Sequence, residues 1–387
     1  MKKQFVWGLL AISILFSHLS FSKTALLPTL TKVRDHVYNL DIGYNTNVGI
    51  VLGDKYVVLI ESGYGKASNK KIIDAVASLT DKPIKYVINL HMHGDHTGGN
   101  KFFESMGATI INQANVIYSE NFDKHFPASS RLHFNDKLVL ELGNETIYLE
   151  HMNAHTFDDA AIYLKKGNVF FIGENIRPQH VVNPGVLGMR SFSIWGKKAF
   201  KFINDDTAIV PAHGKAIINK QVLIEYRKNY VAWFNRFEQL SQAGASKEQM
   251  VADKTAKELA AKLNLDNASK HLEYYEYYAT GIIDGDIEVP VTQAVSQLKA
   301  YVGRYTINGK PDIVIELIDD QLVIKQLASI ISWIKPQDND EFKVMKYNGG
   351  HVVFERDKQG QITSIKTMPH ERAQNKEKFE GVFVKHL

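Results

Sequence analysis

The chain has no cysteine among its 387 residues. Disulfide bonds are therefore excluded, and neither a thiolate nucleophile nor a thiolate metal ligand is available. A lipid anchor attached through cysteine is excluded for the same reason. Any metal ion bound by this protein must be held by nitrogen and oxygen atoms.

Long apolar runs are also scarce. The run at residues 5–16 follows Lys2 and Lys3 and precedes a small-residue region ending near Ser22, a pattern typical of a cleaved secretory signal. It is short for a membrane span of about 20 residues, and no other segment approaches its length. We therefore expect a signal peptide at residues 1–22 and a periplasmic or secreted mature protein without a membrane anchor.

A strong excess of one charge is missing as well. The formal net charge is +4, and removal of Lys2 and Lys3 with the signal lowers it by two. Such a near-neutral balance does not indicate a broad basic surface, so we expect a small-molecule substrate and no nucleic acid partner. The sequence leaves the oligomeric state open. No G-x-S-x-G pattern is present, which argues against a serine nucleophile of the α/β-hydrolase type.

Four potential metal ligands lie within six residues, in the sequence His91-Met92-His93-Gly94-Asp95-His96. In an extended segment, His91 and His93 would project to the same side, while Gly94 would let the chain turn toward a second position. Imidazoles with few carboxylates favour zinc, or another borderline divalent metal, over magnesium or calcium. The spacing therefore predicts a metal site, and we disfavour ordinary surface histidines as the explanation.

The pattern of apolar and turn residues divides the chain into three parts after the signal. Strands are predicted at 33–42, 47–52, 56–60, 84–90, 109–111 and 208–210, a strand-rich section at 137–150 and 160–172, and helices at 67–79, 115–122 and 197–203. Helical spacing then predicts helices at 222–243, 247–263 and 270–283. Beyond Pro290, short β-rich runs separated by polar turns predict a small β domain.

The histidine motif, continued by Thr97-Gly98-Gly99-Asn100, resembles the HxHxDH signature of the metallo-β-lactamase superfamily. The resemblance implies an α/β fold, the four-layer αββα sandwich of that superfamily, followed here by a helical segment and a small β-rich C-terminal domain. We accordingly expect a catalytic domain at 23–219, a helical extension at 220–290 and the β domain at 291–387.

Three later residues match the remaining ligand positions of the family, and each follows an apolar run: His155, Glu174 and His213. The resemblance implies one ligand group of His91, His93 and His155 and a second of Asp95, His96 and His213. Glu174 stands where aspartate is usual and is one methylene longer. It is left open whether Glu174 bridges two ions or binds one, and whether the site holds two zinc ions or a single one.

The sequence does not decide which residues support the metal ligands. Glu61, Thr97 and Asp159 could each orient a ligand histidine or have a merely structural role, and the two roles suit them equally. Surface or packing roles are favoured for His125, His133, His180 and Arg177. Core or interface packing is likewise favoured for the closely spaced tyrosines Tyr274, Tyr275, Tyr277 and Tyr278.

The leading hypothesis is a metal-dependent hydrolase in which a metal-bound hydroxide attacks a carbonyl substrate: a lactam, lactone, ester or thioester. Asp95 is expected to orient the attacking water and to pass its proton to the leaving group. Glu174 keeps a sulfate-ester or phosphoester hydrolase of the same fold open as an alternative. A non-catalytic metal-binding or sensing protein is a further alternative, which the full ligand set disfavours. Expected export and near-neutral charge argue against the nuclease branch of the superfamily.

Overall fold

The computed structural model describes residues 29–43, 45–119, 122–126, 131–152, 154–177, 191–214, 217–263, 275–283, 287, 293–310, 312–318, 320–326, 329–344, 350–368 and 380–386. The predicted signal peptide lies outside these residues. Among the helices in the described ranges, none has the length and apolar character that a bilayer span requires.

Two sheets face each other in the N-terminal half. The first has seven strands in sequential order: β1 Thr29–Arg34, β2 Val37–Asp41, β3 Asn47–Leu52, β4 Val57–Ile60, β5 Ile84–Ile88, β6 Thr109–Gln113 and β7 Arg131–Phe134. The second has five strands in the order β12-β11-β10-β9-β8: β8 Lys137–Glu141, β9 Thr146–His151, β10 Ala160–Leu164, β11 Val169–Gly173 and β12 Ala208–Pro211. Helices in this half are α1 Lys66–Leu79, α2 Gly94–Thr97, α3 Asn100–Ser105, α4 Phe122–His125 and α5 Ser191–Ala199.

The fully buried strand β4 shows why four layers form. Val58 and Ile60 point into the core between the two sheets, whereas Val57 and Leu59 belong to the core that packs on helices α1 and α3. Successive side chains of a strand face opposite sides, so an uninterrupted apolar strand must be covered on both faces. The outer face of the second sheet is covered in turn by α5 and by later helices. The predicted αββα sandwich is therefore confirmed.

Within the described residues, four further helices follow the sandwich: α6 Lys220–Gln242, α7 Lys247–Ala252, α8 Lys254–Ala261 and α9 Tyr275–Ile282. Their apolar faces share one continuous core with the second sheet, in which Trp233 and Ala279 of the helices join Phe170 and Ile176 of the sandwich. Burial of such large side chains in one core ties the helices firmly to the sandwich. The domain bounds given above stay a prediction.

The C-terminal part contains α10 Val295–Leu298 and a closed eight-stranded barrel. Its strands are β13 Gly303–Thr306, β14 Ile313–Ile318, β15 Gln321–Gln326, β16 Ser329–Asp338, β17 Glu341–Val344, β18 His351–Arg356, β19 Ile362–Met368 and β20 Gly381–His386. Tyr305, Ile315, Phe342 and Phe383 are among the side chains that fill the interior. Closure leaves no free sheet edge, which is how small β domains avoid edge-to-edge association. The predicted small β domain is thus confirmed as a barrel.

Several predicted elements differ in their bounds. The strand predicted at 33–42 is two strands with a turn at Asp35 and His36, and the helix predicted at 247–263 is divided at Asp253. The Asp253 side chain accepts a hydrogen bond from the backbone nitrogen of Ala256, which begins the next helix there. The helix predicted at 115–122 is a short 3-10 helix, Ala114–Tyr118, and the one predicted at 197–203 is α5, which starts earlier.

Candidate metal centre

The turn that follows β5 carries the histidine motif. The backbone nitrogen of His96 donates a hydrogen bond to the carbonyl oxygen of His93 at 3.0 Å, and the chain enters the short helix α2. A Cβ atom at Gly94 would lie 2.8 Å from Cε1 of His125, so glycine lets His125 pack against the turn. The chain therefore turns after His93, as Gly94 leads one to expect. A helical turn presents the second half of the motif.

The first predicted ligand group converges as expected. Nδ1 of His93 lies 3.1 Å from Nε2 of His91 and 3.3 Å from Nε2 of His155, which comes from the loop after β9. Oε2 of Glu174 completes this group, 3.1 Å from Nε2 of His91 and 3.6 Å from Nε2 of His155. His91 is buried, and the side chain of His93 is 45% exposed, so the group opens to solvent on the His93 side.

The second group lies beside the first. Nε2 of His96 lies 3.1 Å from both Oδ2 of Asp95 and Nε2 of His213, and the last two atoms are 3.4 Å apart. His213 follows β12, and the side-chain amide of Asn47 donates to the carbonyl oxygens of Pro211 and Gly214 on either side of it. Asn47 thereby fixes the loop of His213 against the first sheet.

One oxygen of Glu174 faces both groups. Besides its contacts in the first group, Oε2 lies 3.4 Å from Nε2 of His213 and 3.8 Å from Nε2 of His96. Glu174 is buried at the end of β11, just after Gly173, whose φ of 65° lies in the left-handed region that favours glycine. A single carboxylate oxygen of Glu174 thus lies near nitrogens of both groups, and if each group held an ion this oxygen would be available to both.

These distances fit a divalent metal. Four donors bound by a tetrahedral zinc ion at about 2.0–2.1 Å lie about 3.3 Å apart, close to the separations in both groups. Several buried nitrogen and oxygen lone pairs directed at one another repel unless a cation lies between them. The donor set therefore suits a divalent metal ion in each group. That the seven predicted residues ligate metal stays a prediction, although the structure brings all seven together.

The electrostatics of the cluster favour the ligand forms of His91, Glu174 and Asp95. Burial, reinforced by neighbouring His96, holds the pKa of His91 well below its usual value, which keeps the imidazole neutral. Burial alone would raise the pKa of Glu174, but His155, His213 and Arg177 outweigh it and hold that pKa well below its usual range. Burial also opposes ionisation of Asp95, and His96 reverses the effect, so the pKa of Asp95 is lowered.

Glu61 supports the histidines from behind. Its Oε1 lies 3.5 Å from Nδ1 of His96 and 4.0 Å from Nδ1 of His91, on the far side of each ring from the ligand nitrogen. Glu61 is buried and has a φ of 71°, a conformation that is uncommon for non-glycine residues. Of the two roles open in the sequence, the geometry favours orientation of ligand histidines.

Asp159 and Thr97 act on the backbone of the ligand loops. The Asp159 carboxylate accepts hydrogen bonds from the backbone nitrogens of His155 and Ala154. The Thr97 hydroxyl donates to the carbonyl oxygen of His93 at 3.0 Å and lies 2.8 Å from Nδ1 of His125. Both residues fix the loops that carry ligands.

Arg177 and Tyr278 lie at the site, although the sequence favours only packing or surface roles for them. Nε of Arg177 lies 3.3 Å from Oε1 of Glu174, and the Arg177 side chain is 24% exposed. Burial raises the pKa of the Tyr278 phenol, on α9, and the nearby cation of Arg177 opposes that rise. The spacing of Arg177 three residues after Glu174 was a usable signal, whereas nothing in the sequence links Tyr278 to a residue about a hundred positions earlier.

The other residues to which the sequence assigns packing or surface roles lie as follows. His125 packs on the turn at residues 91–96, His133 lies beside the ring of Phe122, and Tyr275 is buried in the core. His180 and Tyr274 lie outside the described residues.

Two family models match the chain. One, described as "Metallo-beta-lactamase superfamily", matches residues 41–213, and one described as "Domain of unknown function (DUF3471)" matches residues 288–381. The first match contains all seven predicted ligands, and the second covers most of the barrel.

Curated relatives match about half of the chain. The atrochrysone carboxyl ACP thioesterase of Emericella nidulans is 27% identical over 200 residues, which cover 50% of this chain and 61% of that protein. The protein of the same name from Aspergillus fumigatus is 25% identical over 173 residues, covering 44% and 38%. Metallo-beta-lactamase type 2 of Elizabethkingia meningoseptica is 22% identical over 207 residues, covering 50% and 81%. The chain thus spans less than two thirds of either thioesterase.

One solved structure shows the same fold. A double mutant of the sec-alkyl sulfatase PisA1 superposes with a TM-score of 0.51 at 14% identity, over 71% of this chain and 54% of that chain. A metallo-beta-lactamase from Pontibacter korlensis gives a TM-score of 0.45 at 18% identity, over 53% and 99%. Residues 41–213, which form most of the αββα sandwich and carry the donor cluster, match the metallo-beta-lactamase superfamily.

Proposed function

We propose that the protein is a hydrolase that uses two divalent metal ions, with zinc as the first candidate, to cleave a carbonyl substrate. The observation that carries this proposal is the position of Glu174 Oε2, within 3.9 Å of nitrogens from both ligand groups. A carboxylate oxygen placed between two sets of buried imidazoles supports a binuclear centre rather than two unrelated sites.

The metal ions and the residues of the site would have different roles in hydrolysis. Bound metal ions would supply Lewis acidity, polarising a substrate oxygen and lowering the pKa of a water molecule. The Asp95 carboxylate stays ionised because its pKa is lowered, and its side chain is 27% exposed. It is therefore able to accept a hydrogen bond from an attacking water, to orient that water and to carry its proton toward the leaving group. Buried Glu61 keeps His91 and His96 oriented while this happens.

The substrate class follows from the donor set and from the relatives. Two curated relatives are named as thioesterases and one as a metallo-beta-lactamase. Thioesters, lactams, lactones and esters all present a planar carbonyl that a hydroxide attacks to give a tetrahedral intermediate. Their shared chemistry supports a carbonyl substrate, with thioesters placed first in a screen.

Sulfate esters are the second candidate. The specific observation is the longer carboxylate at Glu174 together with the cation of Arg177 beside it, 3.3 Å away. A sulfatase is also among the proteins with the same fold. A screen that includes secondary alkyl sulfates and phosphodiesters separates this candidate from the first.

The experiment pairs metal analysis with a hydrolysis screen on the purified protein. We expect about two zinc ions per chain and turnover of at least one carbonyl class. His93→Ala should remove metal and activity together, whereas His351→Ala, which deletes a histidine on the barrel, should change neither. Full activity of the His93 variant with unchanged metal content would refute the site. Stoichiometric metal without turnover on any class would favour the binding or sensing alternative.

We also propose that the protein is exported. The support is the order of Lys2, Lys3, the apolar residues 5–16 and the small-residue region ending near Ser22. Expression of the full chain in a Gram-negative host should give a periplasmic protein whose first residue, by mass spectrometry, lies near position 23. An intact N-terminus in the membrane fraction would indicate an anchor instead.

A further inference from the structure

The two oxygens of Glu174 have different partners. Oε2 faces the imidazoles of both ligand groups, whereas Oε1 lies 3.3 Å from Nε of Arg177. A glutamate has one more rotatable bond than the aspartate that is usual at this position, so its carboxylate has more ways to turn away from the ions. A cation on Oε1 restricts this freedom, because the guanidinium fixes which oxygen is turned toward the ligand groups.

Arg177 also lies near the helical extension. The Tyr278 phenol of α9 is close enough to the Arg177 cation for that charge to oppose the rise in its pKa that burial causes, and the Tyr278 ring is partly buried against the core shared by the sandwich and the extension. That core contains Ile176, adjacent to Arg177, as well as Ala279, adjacent to Tyr278. Both ends of the Arg177–Tyr278 contact are therefore anchored in the same packed region.

We propose that Arg177 and Tyr278 are positioning residues that fix the carboxylate of Glu174, so that the helical extension is a working part of the metal centre. This inference rests on the proposed binuclear site and adds a residue from outside the superfamily match at 41–213. The electrostatics agree with this role of Arg177. His155 and His213 lower the pKa of Glu174 most, and Arg177 lowers it further.

Metal affinity, not activity, is the decisive readout. Zinc affinity is measured by competition with a chromophoric chelator, and ligand geometry by the visible absorption of the cobalt(II)-substituted protein. Arg177→Met should weaken the binding of at least one ion by about 10–100-fold, the range found when outer partners of metal ligands are removed, and should shift the cobalt spectrum. Arg177→Lys should recover part of the affinity, because it restores the charge without the planar guanidinium.

Tyr278→Phe removes a single hydroxyl and leaves the ring in the core. It should weaken metal binding in the same direction, by a smaller factor than Arg177→Met. The double variant should be no weaker than Arg177→Met alone, since both changes break one chain of contacts. Tyr277→Phe is the matched control: it removes a hydroxyl from the next residue of the same helix, where the side chain is 54% exposed, and should change nothing.

The outcomes separate the inference from the proposed function. Unchanged affinity and spectrum in Arg177→Met, or a Tyr278→Phe protein identical to the Tyr277→Phe control, would overturn the inference while the unmodified protein still binds metal. If the unmodified protein binds no zinc or cobalt, the binuclear site itself is wrong. Unfolding temperatures of the metal-free variants equal to that of the metal-free parent show that a loss of affinity is local and support the inference. A global loss of stability in all affected variants would overturn it.

Discussion

Oε1 of Glu61 lies 3.5 Å from Nδ1 of His96, on the opposite side of the ring from the nitrogen that faces Asp95 and His213. Burial lowers the pKa of His96, but Asp95 and Glu61 outweigh it and raise that pKa well above its usual value. A metal ion at Nε2 would take the place of one proton, while Glu61 retains the other on Nδ1. Glu61 thus fixes the tautomer that ligation requires.

Replacement of this carboxylate is the first prediction. Glu61→Gln keeps the size and burial of the side chain but removes the charge that holds the Nδ1 proton. We expect metal affinity to fall about 10–100-fold, with the fold retained. Chelator competition measures the effect. Glu150→Gln, at a buried glutamate that pairs with Lys137 at 3.6 Å, is the control. Equal affinities of the two variants would reduce Glu61 to a structural residue.

Shortening the carboxylate between the two groups gives the second prediction. Glu174→Asp draws the carboxylate back by one carbon–carbon bond, about 1.5 Å, so a single oxygen no longer reaches nitrogens of both groups. We expect the bound metal to fall toward one ion per chain and hydrolysis to decline at least 10-fold. Mass spectrometry of the metal content checks this, with Glu150→Asp as control. A variant with two ions and full activity would remove Glu174 from the site.

The fold was predictable where it depends on neighbouring residues or on the period of apolar residues along the chain. The uninterrupted apolar run from Val57 to Ile60 needs apolar cover on both faces, and the ligand motif and its three later partners each follow an apolar run. Closure of the C-terminal strands into a barrel was not predictable, because strand order depends on pairings between distant segments such as β13 with β20.

The site was predictable where residue type and spacing indicate the chemistry. Histidines at ligand spacing indicate metal binding, whereas Tyr278 belongs to no sequence motif and is indistinguishable in sequence from the buried Tyr275. Only the packing of α9 against Ile176 brings Tyr278 to Arg177. Long-range contacts of this kind require the tertiary structure.

The buried aspartate pair beside His155 makes stability depend on pH. Burial and then the charge of Asp159 raise the pKa of Asp158 to about 7, and burial raises the pKa of Asp159 to about 7 as well. Because these values exceed the unfolded value, the stability present at low pH is lost as pH rises from about 4 to about 7.

The third prediction follows from that sign. Asp158→Asn removes one carboxylate and keeps an oxygen that accepts the hydrogen bond from Thr156. In metal-free protein, the variant should match the parent near pH 4 and exceed its stability at pH 8, by on the order of 1 kcal/mol. Thermal unfolding across this pH range measures the difference. Asp136→Asn, at an exposed aspartate, serves as control. A constant offset between variant and parent at every pH would contradict the assignment.

The fourth prediction separates ligation from proton transfer at Asp95. Asp95→Asn keeps an oxygen beside His96 and His213 but cannot accept a proton, and its lost charge weakens one ion's binding. At saturating zinc, kcat should still fall about 100- to 10,000-fold, the contribution expected of a general base, whereas the KM should change little. Steady-state kinetics with metal content measured in the same samples distinguishes the two effects. If kcat recovers fully once zinc is restored, Asp95 is a ligand alone, and the proton must leave by another residue.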